Sequence, residues 1–547
     1  MSAAPEQFET AEAVAEAVYR RVGPDVVLGI PLGTGKPNPI VNAIYRAAGA
    51  RSGRTLTIAT ALTLHPPSWS SELERRLVEP IAGRLFGGFP PLDYAEAQRR
   101  DTLPDNVRIV EFFFAPGSKM SEPKAQQDYV CTNYTQAARD LAGLGVNVIA
   151  QLFASAEVDG QPSLSMGSNS DLTMDLIDRL ESLGRRPMFV GQVSRHMPFM
   201  YGEAVLDPSE LDVILDRRDL DFPLVGPPNE PVSLVAHAMG AAAASLVRDG
   251  GTLQLGIGAV ADAITWSLLL RQREPGPFQR LASTVLGGEH SAAGAFAIGG
   301  DRPFGEGLYA ETEMFVPGYL ELYRGGILKR SVPAPEHGEE VEAVLRAGFF
   351  LGPRTFYEAL LGLDAEARQR FRMMPISFTN AMGSDPAAAA SRRRHARFLN
   401  SSLFASILGD VASETLDDGR VVGGVGGQFD FASMAHGLPE ARSVLLVKST
   451  HGSGDDTRSN IRPTAGHATV PRHLRDLMVT EYGIADLRGK TDREVIEAMI
   501  AIADARFVDE LVSAAQRSKK LPGSYNVPDR VRGRNHPQRL REDLAPL

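Results

Sequence analysis

The sequence predicts an α/β protein built on open, mainly parallel sheets. Short apolar segments alternate along the chain with amphipathic segments of helical spacing, as in repeated strand–helix–strand units. Glycine is abundant, at 53 of 547 residues, which suits many tight turns from strand to helix. At roughly 100–200 residues per domain, this length predicts two to four domains.

Each predicted strand is a short apolar segment, and many are flanked by helix-like segments. The predicted strands cover 25–30, 55–60, 107–114, 146–153, 187–193, 252–258, 443–448 and 477–485. A proline- and charge-rich segment at 217–231 precedes a long alanine-rich helix, which places a domain boundary there. The predicted domains are therefore 1–228 and 229–547.

An internal similarity supports two related α/β domains. Residues 21–30, RVGPDVVLGI, align without gaps with residues 248–257, RDGGTLQLGI. Each copy follows an alanine-rich helix and precedes a glycine turn and a further helix. This shared context favours duplication of one α/β unit.

Composition excludes several classes of function. The net charge of −10 argues against nucleic acid as a partner, because phosphate backbones require a basic face. The N-terminus lacks a basic and apolar leader, and no apolar run is long enough to cross a membrane. The single cysteine, Cys131, cannot form an internal disulfide. These features predict a cytoplasmic protein that does not enter the membrane, and the scattered histidines predict no metal site.

Two strand–glycine–helix junctions are candidate ligand sites. Gly256 and Gly258 follow one predicted strand, and Gly33 and Gly35 follow another. Free N–H groups at such helix starts favour phosphate, although a purely structural turn explains the glycines equally. Neither junction is a Walker loop or a complete dinucleotide fingerprint, so a nicotinamide-dependent oxidoreductase is disfavoured.

Residues 308–315, LYAETEMF, predict a strand that ends near Pro317, followed by a short helix closed by Gly325 and Gly326. Glu311 and Glu313 lie two apart and so share a face. Two neighbouring carboxylates in a poorly solvated site raise the pKa of at least one of them. The alternative is a solvated strand edge.

Two further segments carry binding features. The glycine run in 421–431 offers several backbone N–H groups, as an oxyanion site requires, or else forms a flexible turn. Residues 447–473 place Lys448 and three arginines among glycine and hydroxyl residues. This basic loop suits an anionic ligand, or forms ordinary solvated ion pairs.

Together these segments resemble the acetyl-CoA hydrolase/transferase family, which includes acetate and 4-hydroxybutyrate CoA-transferases. The resemblance rests on Thr312–Met314 with its following helix, on the run Gly423–Phe431, and on VTEYGIADLRGK at 479–490. The resemblance is looser in the N-terminal half, where it rests on SMGSNSDLT at 165–173 and on Met197-Pro198. The resemblance implies two similar open α/β domains of CoA-transferase type with the active site between them.

The resemblance also implies a mechanism and a site. Glu313 matches the glutamate that attacks an acyl-CoA thioester, giving an acyl-glutamyl anhydride and then a glutamyl-CoA thioester. Gly426 and Gly427 become candidate oxyanion donors. Gly256, Gly258 and Lys448 become candidate contacts for CoA, and Asn380 for the carboxylate substrate. Coenzyme A enters as a substrate and no cofactor is bound permanently; a homodimer is the expected assembly.

Two departures from the family pattern qualify this interpretation. Many members have histidine where this chain has Glu311, which bears on the pKa of Glu313. The segment 271–305 is longer than in compact members and immediately precedes Glu313, so it is expected to reshape the acyl pocket. Acyl-CoA hydrolysis at the same glutamate is the main alternative to CoA transfer. A silent CoA-binding or sugar-phosphate-binding regulator is less consistent with retention of Glu313.

Overall fold

The computed structural model describes residues 4–67, 69, 71–226 and 230–545. The predicted domain boundary at 228/229 lies outside the described residues and stays a prediction. The predicted α/β class is confirmed, since two large, mainly parallel sheets are covered by helices.

The N-terminal half contains the strands β1 Glu6–Phe8, β2 Asp25–Gly29, β3 Thr55–Thr60, β4 Val107–Glu111, β5 Val148–Val158, β6 Gln161–Ser165, β7 Met188–Val193, β8 Tyr201–Gly202, β9 Val205–Leu206 and β10 Val213–Leu215. Its helices are α1 Ala11–Val22, α2 Asn38–Ala50, α3 Glu72–Phe86, α4 Asp93–Arg99, α5 Pro123–Gln127, α6 Tyr134–Gly143 and α7 Thr173–Ser182. Short 3₁₀ turns cover Gly33–Gly35, Pro208–Glu210 and Arg218–Leu220.

The C-terminal half contains the strands β11 Thr252–Leu255, β12 Tyr309–Phe315, β13 Val332–Glu336, β14 Glu339–Ala343, β15 Leu345–Phe350, β16 Phe371–Met373, β17 Arg397–Ser401, β18 Phe404–Ser406, β19 Val411–Ala412, β20 Arg442–Leu446, β21 Thr450–His451, β22 Arg458–Ser459, β23 Ile461–Arg462, β24 Leu477–Thr480 and β25 Gly483–Asp486. Its helices are α8 Leu234–Ala244, α9 Ala259–Arg273, α10 Pro275–Leu286, α11 Glu289–Ile298, α12 Pro317–Arg324, α13 Arg354–Leu361, α14 Ala365–Gln369, α15 Ile376–Thr379, α16 Pro386–Arg392, α17 Gln428–Gly437, α18 Asp492–Ala501, α19 Val508–Arg517, α20 Asp529–Arg534 and α21 Pro537–Leu544. Two 3₁₀ turns cover Gly454–Asp456 and Arg472–Leu474.

The two large sheets have matching strand orders. The first runs β1-β10-β7-β5-β2-β3-β4, and the second runs β25-β24-β20-β17-β11-β12-β15-β16-β8. In this match β2 corresponds to β11 and β3 to β12, so the internally similar segments occupy equivalent central strands. The edge strands differ, because β1 pairs in parallel with β10 whereas β25 is antiparallel to β24. The paired topology is what duplication of one unit produces.

One segment that the sequence predicts as a single strand forms two strands in the structure. Residues 477–485 were predicted as a single strand, but they form β24 and β25 with a tight turn at Glu481 and Tyr482. The buried Glu481 carboxylate turns inward to accept hydrogen bonds from Ser449 N, at 2.9 Å, and Ser449 Oγ, at 2.6 Å. Gly483 follows with φ of +143°, which reverses the chain.

The two halves share one hydrophobic core. It extends from Leu32 in the N-terminal half to Leu544 at the C-terminal end, and each half also has a core of its own. Helix α8 is buried on almost every side and packs against α9. This close contact requires Gly240, because a methyl group there would lie 2.6 Å from the carbonyl carbon of Ala263. The shared core therefore joins the two halves.

Candidate functional site

Strand β12 presents Glu313 close to the carboxyl end of the second sheet. It lies between β11 and β15, and its residue Met314 pairs with Phe349. The Glu313 side chain is half-buried. Asn380, just after α15, donates from Nδ2 to Glu313 Oε2 at 2.9 Å. The backbone N–H of Gly427 donates to the same carboxylate. The structure therefore brings together Glu313, Gly427 and Asn380, three of the residues that the sequence predicted for the site.

The glycine run is a loop that leads into α17, and Gly427 is the residue before this helix. A methyl group on Gly427 would overlap both the Glu313 carboxylate and the Asn380 amide, so only glycine fits there. Free N–H groups at a helix start favour negative charge. Gly426 has φ of +57°, and its carbonyl accepts a hydrogen bond from Tyr134 N at 3.1 Å. Its proposed role as a second oxyanion donor stays a prediction.

Glu313 combines burial with neutral hydrogen-bond donors. Burial raises the pKa of Glu313 to about 7, the nearby carboxylates of Asp430 and Asp171 push it in the same direction, and the Asn380 and Gly427 hydrogen bonds oppose them. Desolvation penalises the charged form, so near neutral pH this group exchanges readily between acid and carboxylate. Perturbed carboxyl groups of this kind cluster at functional sites.

Glu311 has a different environment. It is fully buried, and its carboxylate pairs with Arg392 Nε at 3.2 Å and Arg393 Nη2 at 2.5 Å. Tyr309 also donates to it from the hydroxyl at 3.1 Å. The carboxylates that raise the pKa of Glu313 are Asp430 and Asp171. Helix α16 ends at Arg392, and Arg393 follows it directly, so the end of this helix supplies both arginines.

The N-terminal half contributes acidic and aromatic groups that the sequence did not single out. Asp171 lies just before α7, and burial raises its pKa to about 6. The Tyr134 hydroxyl donates to this carboxylate from α6. The segment around Asp171 also crosses to the C-terminal half, since Ser170 Oγ donates to Gly348 O at 3.2 Å. The 165–173 resemblance was the one sequence signal that pointed to this region.

Asp430 is the other acidic neighbour of Glu313. It lies in the first turn of α17, and burial raises its pKa to about 6. It accepts hydrogen bonds from Thr135 N at 3.2 Å and Thr135 Oγ1 at 2.9 Å, across the boundary between the halves. The glycine-run motif contains Asp430, but no spacing in the sequence connects it with Thr135.

The predicted CoA contacts surround the same sheet edge. Gly256 and Gly258 follow β11, the neighbour of β12. A methyl group added at either glycine would have no atom within 4 Å. Gly258 has φ of +105° and directly precedes α9. Lys448 is exposed just after β20, which is separated from β11 by β17. The structure thus leaves space at both glycines, and the assignment of all three residues to CoA stays a prediction.

The arginines of the basic loop are engaged with protein groups. Arg462 pairs with Asp417 at 2.8 Å and lies over the Phe404 ring, while Arg472 pairs with Asp492 at 3.4 Å. Arg458 donates to the backbone carbonyl of Asp455 at 2.9 Å. These contacts favour the solvated ion-pair alternative for the arginines and leave Lys448 as the candidate for an anionic ligand.

The long segment 271–305 forms α10 and α11 with the end of α9. Helix α10 packs against α8, α9 and α21. With β25 and the C-terminal helices, α10 and α11 enclose an open cavity of about 970 Å³. Glu313 does not line this cavity. Reshaping of the acyl pocket by this segment stays a prediction.

Within the described ranges, no group of three or more histidine, cysteine, aspartate or glutamate side chains is arranged to hold a metal ion. Over those same ranges, none of the helices has both the length and the apolar character needed to cross a bilayer.

Sequence comparison links the chain to enzymes of CoA metabolism. Residues 352–515 match the family model of the acetyl-CoA hydrolase/transferase C-terminal domain. The chain is 25% identical over 363 residues to the 4-hydroxybutyrate coenzyme A transferase of Clostridium kluyveri, covering 66% of this chain and 71% of the relative. It is 26% identical over 425 residues to the succinyl-CoA:cyclohexane-1-carboxylate CoA transferase of Geobacter metallireducens, covering 77% and 83%.

Solved structures show the same fold. RipA from Yersinia pestis matches with a TM-score of 0.67 at 22% identity, covering 94% of this chain and 98% of that structure. The 4-hydroxybutyrate CoA-transferase from Porphyromonas gingivalis matches with a TM-score of 0.60 at 20% identity, covering 94% and 97%.

The fold and the sequence relatives together define an enzyme of the CoA-transferase class. Within this class, residues 352–515 match the C-terminal domain of the acetyl-CoA hydrolase/transferase family.

Proposed function

We propose that this enzyme transfers coenzyme A from an acyl-CoA to a small carboxylate through covalent intermediates on Glu313. The observation that carries this proposal is the environment of Glu313. A carboxylate is a weak nucleophile in water, but this one is half-buried and oriented by Asn380 and Gly427. Partial desolvation and fixed orientation are what such a nucleophile needs.

The first half-reaction forms two covalent bonds to Glu313 in turn. The Glu313 carboxylate attacks the thioester carbonyl carbon, the carbon–sulfur bond breaks, and CoA leaves as the thiolate. This gives a mixed anhydride. The thiolate then attacks the glutamyl carbonyl carbon, which releases the first carboxylate and leaves a glutamyl-CoA thioester. No proton is gained or lost overall.

The second half-reaction reverses these steps with another carboxylate. The acceptor attacks the glutamyl thioester, and the released thiolate attacks the acceptor's carbonyl carbon. A new acyl-CoA leaves and Glu313 regains its charge. The Gly427 N–H, which reaches the Glu313 carboxylate, is the candidate donor to the oxyanion that forms when the thiolate or the acceptor carboxylate adds to the glutamyl carbonyl carbon. Asn380 is the candidate group for holding the free carboxylate.

The long CoA molecule provides binding energy far from the reacting carbon. Gly256, Gly258 and Lys448 are the proposed contacts, because both glycines border open space and Lys448 is exposed. Energy from such remote contacts can be used to desolvate and align the thioester. A homodimer and a cytoplasmic location remain part of the proposal.

Hydrolysis is the second candidate, because a relative from Eremothecium gossypii, 28% identical over 148 residues, is named acetyl-CoA hydrolase. Water would then resolve one of the two Glu313 intermediates. The match covers 25% of this chain and 27% of that relative. Transfer ranks first because the two longer matches reported above are to proteins named CoA transferases.

Intact-protein mass spectrometry tests the proposal. The enzyme is mixed with acetyl-, propionyl- or succinyl-CoA and then treated with borohydride. We expect a CoA adduct at Glu313, or its reduction there to an alcohol, and no such mark on Glu313→Gln. Adduct loss that requires added acetate identifies a transferase, whereas equal loss in water identifies a hydrolase. Absence of any mark on Glu313 during turnover contradicts the mechanism.

A further inference from the structure

The amide of Asn380 lies between two carboxylates. Its Nδ2 donates to Glu313 Oε2 at 2.9 Å. The same side chain also lowers the pKa of the Asp430 carboxyl by hydrogen bonding, against the burial that raises it. The amide oxygen Oδ1 of Asn380 accepts from Thr379 Oγ1 at 3.0 Å. A carboxamide nitrogen carries two hydrogens, so one amide group can serve both acids. Rotation of the amide by half a turn would direct its oxygen at two carboxylates.

Asp430 is in turn held by the N-terminal half. Thr135, in the first turn of α6, donates to Asp430 from its backbone nitrogen and from Oγ1. The preceding residue, Tyr134, donates its N–H to Gly426 O. The start of α6 therefore docks on the loop and helix that also supply Gly427. Negative charge at a helix start is favourable, which strengthens this contact.

We propose that Asp430 is a positioning residue that keeps the Asn380 N–H groups turned toward Glu313 and makes this orientation depend on the docking of α6. The inference rests on the proposed function. Glu313 loses its negative charge whenever it becomes an anhydride or a thioester. Asp430 is then the carboxylate that still holds the amide, so the N–H that Glu313 released stays directed at the leaving or entering carboxylate.

The titratable groups around Glu313 come from three other elements. They are Asp430 on α17, Asp171 before α7 and Tyr134 on α6. Lys36 is buried beyond Asp171, and Asp171 and Glu111 act on its charge. Replacing Asp430 by asparagine removes one negative charge next to Glu313. That change lowers the pKa of Glu313, because the Asp430 charge is one of the influences that raise it.

The experiment compares Asp430→Asn with the wild-type enzyme and with Asp105→Asn, a change at an exposed acid that precedes β4 and has no proposed role in the site. We expect Asp430→Asn to lower kcat roughly 10- to 100-fold through misplacement of the amide. The KM for acyl-CoA is expected to stay close to wild type, since Asp430 makes no proposed contact with CoA. The acid limb of the kcat/KM profile is expected to move to lower pH, which a merely structural defect does not produce.

Thr135→Val provides the second variant. It removes the Oγ1 donor, keeps the backbone donor and has nearly the same shape, so its loss of kcat is expected to be smaller than that of Asp430→Asn. If Asp430→Asn does not fold, as judged by circular dichroism and melting, Thr135→Val decides the question. Folded variants with wild-type kcat and an unmoved acid limb overturn the inference.

Borohydride trapping separates this inference from the proposed function. If the wild-type enzyme forms no adduct at Glu313, the covalent mechanism fails and the inference fails with it. If the wild type forms the adduct and Asp430→Asn forms it at the same rate, only the inference fails. We expect slow trapping in Asp430→Asn and wild-type trapping in Asp105→Asn.

Discussion

Glu311 and Glu313 lie on the same face of one strand, yet their surroundings differ completely. Glu311 is fully buried between Arg392 and Arg393. Glu313 receives neutral N–H donors and faces the carboxylates Asp430 and Asp171. A buried carboxylate paired with arginine is locked into a structural role, because its charge is already compensated. A desolvated carboxylate without a cation retains the reactivity that a nucleophile needs.

The largest expected effect comes from removing the reactive member of this pair. We expect Glu313→Ala to lower kcat by on the order of 10⁴-fold or more, because the nucleophile is lost. Glu313→Asp should be nearly as damaging, since one methylene group misplaces the carboxylate. Steady-state kinetics on folded protein provides the measurement. Full activity in Glu313→Ala would remove this residue from the mechanism.

Replacing Glu311, the carboxylate that pairs with arginines, should lower the stability of the fold rather than its activity. Glu311→Gln leaves two buried arginines without their counter-charge, and we expect it to cost about 3 kcal/mol of unfolding free energy. Turnover per folded molecule should change little. Chemical denaturation provides the measurement, with Glu321→Gln as the control, because its pair with Arg324 is exposed and contributes less than about 1 kcal/mol. Equal unfolding free energies for the two variants would show that the buried ion pairs of Glu311 stabilise the fold no more than an exposed pair does.

The Gly427 N–H donor can be tested by comparing substitutions at Gly427 and Gly437, the glycines at the two ends of α17. Gly427→Ala places a methyl group on the Glu313 carboxylate and the Asn380 amide, and we expect kcat to fall about 10²- to 10³-fold. Gly437→Ala at the other end of α17 meets no atom within 4 Å and should stay within about twofold of wild type. Similar losses in both variants would show that α17 is simply intolerant of alanine.

The smallest effect concerns pH. Only the ionised form of Glu313 is nucleophilic, and its pKa is raised to about 7, so kcat/KM should fall as pH decreases below about 7. The raised pKa also means that the fold loses stability as pH rises from the ordinary glutamate pKa of 4.5 towards 7, because the folded state holds its proton more tightly than the unfolded state. Glu313→Gln should remove that part of the pH dependence of stability. A kcat/KM profile that stays flat down to pH 5 would contradict the raised pKa.

Local patterns in the sequence predicted much of the architecture. Residues 55–60 are a strand in both prediction and structure, and the strand through Glu313 with its following helix also appears as predicted. The hairpin at 477–486 was not predicted because apolar residues lie on both sides of the turn and make the segment look like one strand. A buried carboxylate, Glu481, interrupts the strand there, and its partner Ser449 lies 32 residues away.

The sequence by itself determined the α/β class, the duplicated strand–glycine–helix unit and the identity of Glu313, Gly427 and Asn380 as candidates. The class and the duplicated unit follow from periodicity and local turn chemistry, whereas the three candidates follow from the resemblance to a known family that short motifs carry. Only the tertiary structure decided that Glu311 faces arginines and that Asp430 meets Thr135, which lies 295 residues away. Charge, burial and hydrogen bonding at Glu313 depend on groups from both halves, and chain packing alone brings these groups together.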